Sequence, residues 1–265
     1  MNELTVLSLN IWFDEYCTME RTNALLACIY KHNPDVICLQ EVRPVIYEKL
    51  IKNLKKYEYH YPKTIKYNYG CIIFSKYKIS KCATVPFKRS NMGRELIIAK
   101  IDYPYKGNNS TTMIEIVICT THLESEFNRD SPNLIKAAQI AESFSTLESI
   151  HEQYRNVIFC LDSNLTSDDE VTMNFPFNKE NGWDDAWVSK GNADNRYTFD
   201  GKKNVFLKQR KCRYRSRLDR ILSKSDSCHL QSFNLIESAS DCILSYMSPS
   251  DHFCISGKFH LSIKN

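Results

Sequence analysis

Seven residues able to take part in hydrolytic chemistry stand at the ends of separate apolar runs: Asn10, Glu41, His122, Asp162, Asn164, Asp219 and His252. Leu4–Ile11 carries Asn10. Asp35–Leu39 leads into Gln40-Glu41, Ile114–Thr120 into His122, and Val157–Leu161 into Asp162 and Asn164. Arg217–Leu222 carries Asp219, and the last run opens at Ser250-Asp251-His252. A single Asp or Asn at such a place is usually a turn former. Their recurrence along the whole chain is more informative, because converging strand ends would make one polar site on a rigid scaffold.

Carboxylates, carboxamides and imidazoles are the set that phosphodiester hydrolysis requires. A water must be activated, the charge on the phosphoryl oxygens neutralised and the leaving oxygen stabilised. A hard cation such as Mg²⁺ takes oxygen ligands, keeps several waters and can be held by one or two carboxylates. Glu41 is the best candidate ligand, with Asn10 beside it. Asp162 can orient or deprotonate the water. Asn164 and His122 can donate to phosphate oxygens, and Asp219 can hold His252 in one tautomer and favour its protonated form.

The elements that must position these residues follow from periodicity. Leu4–Ile11, Asp35–Leu39, Cys71–Phe74, Leu96–Ile101, Ile114–Thr120, Val157–Leu161, Arg217–Leu222, Leu230–Ile236 and His252–Phe259 read as strands. Arg21–His32 reads as a helix stopped by Asn33-Pro34, and a second amphipathic helix runs from Val45 to Lys55. Ser131-Pro132 opens a third, with Ile140, Phe144 and Leu147 at helical spacing. The polar stretch from Thr166 to Asn204 reads as long loops. No linker or low-complexity tract interrupts the chain, so the expectation is one domain over residues 1–265. Strand predominance with early and central helices fits two packed sheets with helices outside.

The bulk numbers set limits. With 43% hydrophobic and 25% charged residues the chain is ordinary globular protein, and a net charge of +4 does not by itself call for a nucleic-acid partner. Eleven cysteines, several inside strand-like runs (Cys38, Cys71, Cys119, Cys160, Cys254) and none in CxxC spacing, read as reduced buried thiols and not as disulfides or a zinc site. No signal peptide or membrane-length apolar run is present. A soluble intracellular protein, in nucleus or cytoplasm, is expected.

The ordered segments Leu9-Asn10-Ile11-Trp12-Phe13-Asp14, Leu39-Gln40-Glu41-Val42, Thr121-His122-Leu123-Glu124-Ser125, Leu161-Asp162-Ser163-Asn164, Arg217-Leu218-Asp219-Arg220 and Ser250-Asp251-His252 resemble the motifs of the endonuclease/exonuclease/phosphatase superfamily. His-Leu-Glu-Ser, Tyr197-Thr198-Phe199-Asp200, Val85-Pro86-Phe87 and Met92-Gly93-Arg94 look most like its 5′-tyrosyl-DNA phosphodiesterase branch. The resemblance spans Leu4 to Phe259. It implies an α/β fold, a four-layer α-β-β-α sandwich of two mixed β-sheets flanked by helices. It implies Mg²⁺ (or Mn²⁺) dependence and hydrolysis of the bond between a tyrosine and a 5′-phosphate, as left by a topoisomerase trapped on DNA. The metal would lie at Asn10, Glu41 and Asp251, and Asp162 would be the acid/base residue. His122, Ser125, Asn164 and His252 would contact the scissile phosphate. Tyr69, Arg94, Phe199 and Leu218 would contact the substrate, the aromatic rings by stacking on bases. A phenol, with a reference pKa of about 10, leaves more readily than an alkoxide. The expected partner is DNA with a 5′-linked tyrosine or peptide, RNA being a second candidate; no membrane is involved, and the protein acts as a monomer.

The departures from the pattern are specific. Leu161 stands where the family usually has Gly, Thr166 where a basic residue often follows, Phe199 where Trp is usual, and Trp12 where some members have Asp. Some animal members carry an N-terminal ubiquitin-binding module; none is expected here, where the catalytic motifs begin at Leu9-Asn10. From Lys208 to Arg217 six of ten residues are Lys or Arg, with Tyr214 interleaved. Beside Asp219 this run reads as a grip on backbone phosphates; the alternative is a solvated loop or localisation patch. Other phosphodiesterases of the superfamily (abasic-site endonuclease, deadenylase, sphingomyelinase or inositol phosphatase types) share the core residues, and a catalytically dead nucleic-acid-end binder would keep the fold.

Overall fold

The structure, a computed structural model, describes residues 2–108, 110–125, 134–237 and 247–263. In chain order the elements are β1 (Glu3–Asn10), α1 (Thr18–His32), β2 (Val36–Val42), α2 (Pro44–Asn53), β3 (Tyr59–Tyr61), β4 (Gly70–Ser75), β5 (Ile79–Pro86), β6 (Glu95–Lys106) and β7 (Thr111–His122). There follow α3 (Leu134–Tyr154), β8 (Asn156–Asp162), α4 (Ser167–Thr172), β9 (Asp184–Asp185), α5 (Ala186–Lys190), β10 (Phe199–Asp200), α6 (Val205–Gln209), β11 (Arg215–Ser216), β12 (Asp219–Ser225), β13 (Cys228–Ile236) and β14 (Cys254–Leu261). Two six-stranded sheets run β13-β14-β1-β2-β4-β3 and β5-β6-β7-β8-β12-β9, and β10 pairs with β11 alone. Both large sheets are mixed: β1 is parallel to β2 and β7 to β8, while the other neighbours are antiparallel.

Period-two alternation sorts the side chains into layers. Leu4 and Val6 of β1, Val36 and Cys38 of β2, Ile116 and Ile118 of β7 and Ile158 and Cys160 of β8 share the core between the sheets. The intervening Leu7, Leu9, Ile37 and Leu39 pack with Leu25 and Ile29 of α1 and with Ile46 and Leu50 of α2. On the other side Val117, Cys119, Val157, Phe159 and Leu161 pack with Ile140 and Leu147 of α3. The result is the expected helix–sheet–sheet–helix sandwich. Because the central strands are apolar on both faces, they read in the sequence as continuous runs. Asn33 ends α1 in a left-handed conformation, its N–H on the Ile29 carbonyl, and Pro44 opens α2.

The expected opening of α3 at Ser131-Pro132 lies outside the described residues. The stretch from Thr166 to Asn204 departs from the expected long loops: it contains α4, α5 and the short strands β9 and β10. These elements are too short for hydrophobic periodicity and are held by caps. Thr166 and Asp169 form a reciprocal capping box on α4, and Asp185 caps α5. Strand β5 also escaped the pattern, because it is a largely exposed edge. The ten described cysteines are all free, and among the described residues no helix is long and apolar enough to cross a membrane.

The irregular segment is tied to the second sheet by a buried ionic network. Arg220, fully buried on β12, pairs with Glu170 of α4 (2.5 Å) and Asp185 of β9 (3.4 Å), and its Nε donates to Ser163 Oγ. Arg217 shares Asp185 at 2.6 Å. Removing one member of such a network leaves charge buried without its partner. Arg220→Ala should therefore cost about 3–5 kcal/mol in urea unfolding, whereas a surface change such as Lys81→Ala should stay within about 0.5 kcal/mol.

Candidate active site

The alternation that builds the inter-sheet core also builds the site. Continued by one or two steps, the inward-facing parity of β1, β2, β7 and β8 falls on Asn10, Gln40, His122 and Asp162. On β12 the parity of inward Ile221 falls on Asp219. Registry then sets them side by side, with Asp162 opposite His122 on β7 and opposite Asp219 on β12. Beneath them Gln40 Nε2 ties the two sheets by donating to Ser8 Oγ (3.2 Å) and Thr120 Oγ1 (3.0 Å). The site is thus the polar end of the layer that is apolar lower down.

Glu41 has the wrong parity for this face. It is brought in by a break in the β2–β4 register between Leu39 and Val42, and it adopts φ 60°. An irregularity of this kind re-aims a side chain, and a non-glycine residue in the left-handed region is tolerated where neighbours enforce it. Here the Phe13 amide donates to Glu41 Oε2 at 2.8 Å. Trp12 (φ 60°) and Asn164 (φ 48°) are held left-handed beside it.

Asp162 is the hub. Its Oδ2 accepts from Asn10 Nδ2 (2.8 Å) and its Oδ1 from the Asn164 amide (3.0 Å). His122 Nε2 stands 3.4 Å from Asp162, and His252 Nε2 stands 3.9 Å from it. Arg94 Nη1 lies 2.8 Å from His122 Nδ1. Asn164 Nδ2, which also donates to the Leu123 carbonyl (2.9 Å), lies 2.9 Å from His122 Nε2, so donor groups face both ring nitrogens. Burial, with the Arg94 charge added, pushes this imidazole down to about 3 and keeps it neutral. His252 is the reverse case. Burial alone would lower its pKa, but the Asp219 charge and the 2.8 Å bond from His252 Nδ1 to Asp219 Oδ2, with Asp162 and Asp251 nearby, hold it well above 6.5. The two histidines therefore offer a neutral imidazole and a cationic one.

Second-layer hydroxyls fix this arrangement. Thr198 Oγ1 accepts from the Leu218 and Asp219 amides, both at 3.0 Å. Ser250 Oγ donates to the Asn10 carbonyl (2.6 Å) and accepts from the His252 amide (3.1 Å). These roles, like that of the Phe13 amide, involve backbone groups and carry no sequence signal beyond their motifs. Buried Glu124 accepts from Ser90 Oγ and the Asn91 amide (both 2.8 Å) and from Gln139 (3.2 Å), pinning the loop that delivers Arg94.

Two groups of residues could hold a divalent cation. Ligand atoms of Asp162, Asp219 and His252 lie within 4.8 Å of one another. Each is already hydrogen-bonded within the site, although buried Asp219 Oδ1 has no hydrogen-bond partner among the described residues, and the cationic form of His252 cannot ligate. Glu41 fits a cation better. Burial first, with Asp251 contributing, pushes its carboxyl up to about 7, and Asp251 is itself raised by burial. Glu41 is buried and Asp251 partly buried, and a hard cation would offset the desolvation of their ionised forms.

The expected substrate residues divide. Arg94 and Tyr69 stand together beside Glu41, the guanidinium 5.3 Å from the Tyr69 ring, and Ser125 Oγ lies 3.3 Å from Met92 Sδ. Phe199 packs on His252 (5.2 Å, edge-on), while Leu218 is buried beneath. Trp12 is no ligand: its ring lies within about 4.5 Å of both Arg21 and Arg210. Thr166 caps α4. The basic run is split, since Arg210 pairs with Asp14, Arg215 with Asp200 and Arg217 with Asp185. Lys208, Lys211 and Arg213 remain exposed, with no carboxylate partner among the described residues.

The sequence model of the Endonuclease/Exonuclease/phosphatase family matches residues 7–252. Tyrosyl-DNA phosphodiesterase 2 of Rattus norvegicus is 29% identical over 246 residues, covering 88% of this chain and 60% of that protein. This chain thus spans about three-fifths of the length of the first such relatives. Among solved structures, truncated Caenorhabditis elegans TDP2 superposes with a TM-score of 0.80 at 25% identity, covering 97% of each chain. D. rerio TDP2 complexed with single-strand DNA product superposes with a TM-score of 0.79 at 24% identity, covering 97% of this chain and 99% of that one.

The Glu41 environment has a measurable consequence. Its ordinary pKa of 4.5 is raised in the fold to about 7, so the ionised form is disfavoured. Without a divalent cation, stability contributed by the neutral carboxyl is present below 4.5 and is lost as pH rises through about 7. In chelator at pH above 7, Glu41→Gln should be more stable than wild type by up to about 3 kcal/mol, the difference closing below about pH 4.5. Saturating Mg²⁺ should stabilise wild type and not the variant. Equal Mg²⁺ stabilisation of both proteins, measured by urea unfolding, would exclude Glu41 as a ligand.

Proposed function

Because this chain belongs to the endonuclease/exonuclease/phosphatase family, we propose that it is a divalent-metal-dependent phosphodiesterase cleaving the bond between a tyrosine side chain and the 5′-phosphate of DNA. The observation that carries the reading is the Asp162 hub, fixed by two asparagines and flanked by a neutral and a cationic histidine. The names of the matching relatives point to the same substrate. Clearing trapped topoisomerase adducts follows from that chemistry, with RNA ends as a second substrate class. A single-domain monomer in the nucleus or cytoplasm is the corresponding physical setting.

In this mechanism Asp162 orients the attacking water and takes its proton. Asn10 and Asn164 keep the carboxylate oxygens pointed, so little reorganisation is required as charge develops. Protonated His252, with Asn164 and neutral His122 beside it, contacts the non-bridging phosphate oxygens. Asp219 holds His252 protonated and in place. Glu41, Asn10 and Asp251 would hold Mg²⁺ (Mn²⁺ as the substitute), which supplies positive charge toward the leaving oxygen. Arg94, next to His122 and Tyr69, stands where a phenolic leaving group would be met. Lys208, Lys211 and Arg213 supply backbone-phosphate contacts.

With a 5′-phosphotyrosyl single-stranded oligonucleotide and Mg²⁺, wild type should release a 5′-phosphate end. Asp162→Asn should lower kcat by about 10²–10⁴-fold, the range for loss of a general base. Failure on this substrate, with cleavage of an abasic duplex or of a lipid or inositol phosphodiester, would keep the metal chemistry and replace the substrate.

A further inference from the structure

A groove of about 1390 Å³ opens next to Glu41, and apart from Tyr69 its lining takes no part in the chemistry above. Tyr67, Tyr69, Met92 and Gly93 line both this groove and the cleft that reaches Glu41, Arg94 and His122, so the two are continuous. One wall is Phe13 stacked on Tyr69, with ring centroids 4.8 Å apart and planes 18° from parallel. Tyr67 (60% exposed) and Val45 (53% exposed) present further apolar surface to solvent.

We infer that this groove receives the polypeptide attached to the scissile tyrosine. The inference rests on the functional reading above and deepens it. The first argument is geometric. His122 stands between two carboxylates, with Nε2 3.4 Å from Asp162 and Nδ1 3.6 Å from Glu41. In-line displacement places the leaving oxygen opposite the attacking water. With the water on Asp162, the tyrosine departs on the Glu41 flank, where the groove begins.

The second argument is charge. A track for a nucleic-acid strand is lined by excess positive charge. Here the lining carries two acidic and two basic side chains, Glu15 being paired with Arg43 at 2.7 Å and Asp14 with Arg210 at 3.0 Å, so that among the described residues Lys66 is the one lining cation not in such a pair. A wall of aromatic and aliphatic side chains with near-zero net charge suits a peptide. The uncompensated Lys208, Lys211 and Arg213 instead lie in the connection between β10 and β11, the strand pair that carries Phe199 to His252.

The test compares two 5′-phosphotyrosyl oligonucleotides of the same sequence, one carrying free tyrosine and one carrying tyrosine within a short peptide. Wild type should show a KM about tenfold lower for the peptide-bearing substrate, the worth of one well-packed contact. In Tyr67→Ser and Val45→Asp that ratio should fall toward one. A fluorescent phosphotyrosyl peptide without DNA should bind wild type by anisotropy and bind both variants more weakly. Equal KM values in wild type, or a ratio that survives both substitutions, would overturn the inference. So would variants that instead lose their dependence on oligonucleotide length, which would make the groove a nucleic-acid track. If no tyrosyl oligonucleotide is cleaved but the peptide binds in a groove-dependent way, the substrate reading fails and the groove assignment stands. If the peptide does not bind either, both fail.

Discussion

The alternation of side chains along paired strands is the constraint on which this protein depends. Each central strand must place every second residue in the space between the two sheets, and lower in that space the occupants are Leu, Val, Ile and Cys. At the end where β1, β2, β7 and β8 finish and β12 begins, the same positions are Asn10, Gln40, His122, Asp162 and Asp219. The chemistry needs no loop to carry these side chains. They inherit the rigidity of a closely packed core, and hydrogen bonds at 2.8–3.0 Å around Asp162 hold its carboxylate.

Glu41 is the exception, and its cost is visible in two ways. It sits in a left-handed conformation at a break in sheet register, and its carboxyl is held at about 7 by burial. Both are unfavourable in isolation. Both fit the role proposed for Glu41, since a strand there turns one residue against its parity and a buried carboxylate gains from a nearby cation. The neutral His122 and cationic His252 follow the same economy of partners. Arg94 on one ring and Asp219 on the other set opposite protonation states within a single site.

The irregular segment between β8 and β12 is kept in place without a hydrophobic stripe. Capping side chains close its short helices, and Arg217 and Arg220 bind Glu170 and Asp185 beneath them. Thr198 and Ser163 then deliver this order to the candidate site, since Thr198 receives the Asp219 amide and Ser163 Oγ donates to the Leu218 carbonyl. A polar segment can thus be as precisely placed as a strand, provided its charges are paired in burial.

The layered α/β sandwich and the members of its polar centre were legible in the sequence, because apolar runs of strand length end in chemically distinctive residues. Asn10, Glu41, His122, Asp162, Asn164, Asp219 and His252 could all be named from their positions at those ends. The short elements between Thr166 and Asn204 were not legible, since caps and buried ion pairs leave no periodic trace. Nor could the sequence separate the two roles of the basic run: Arg210, Arg215 and Arg217 are held by carboxylates brought from remote segments, while Lys208, Lys211 and Arg213 are left to solvent. Strand identity is a local property, written in the alternation of neighbours. Register, the turn of Glu41 into the site, the partner of each charge and the protonation of each histidine belong to the tertiary structure, because each is set by groups that only folding brings within a few ångströms.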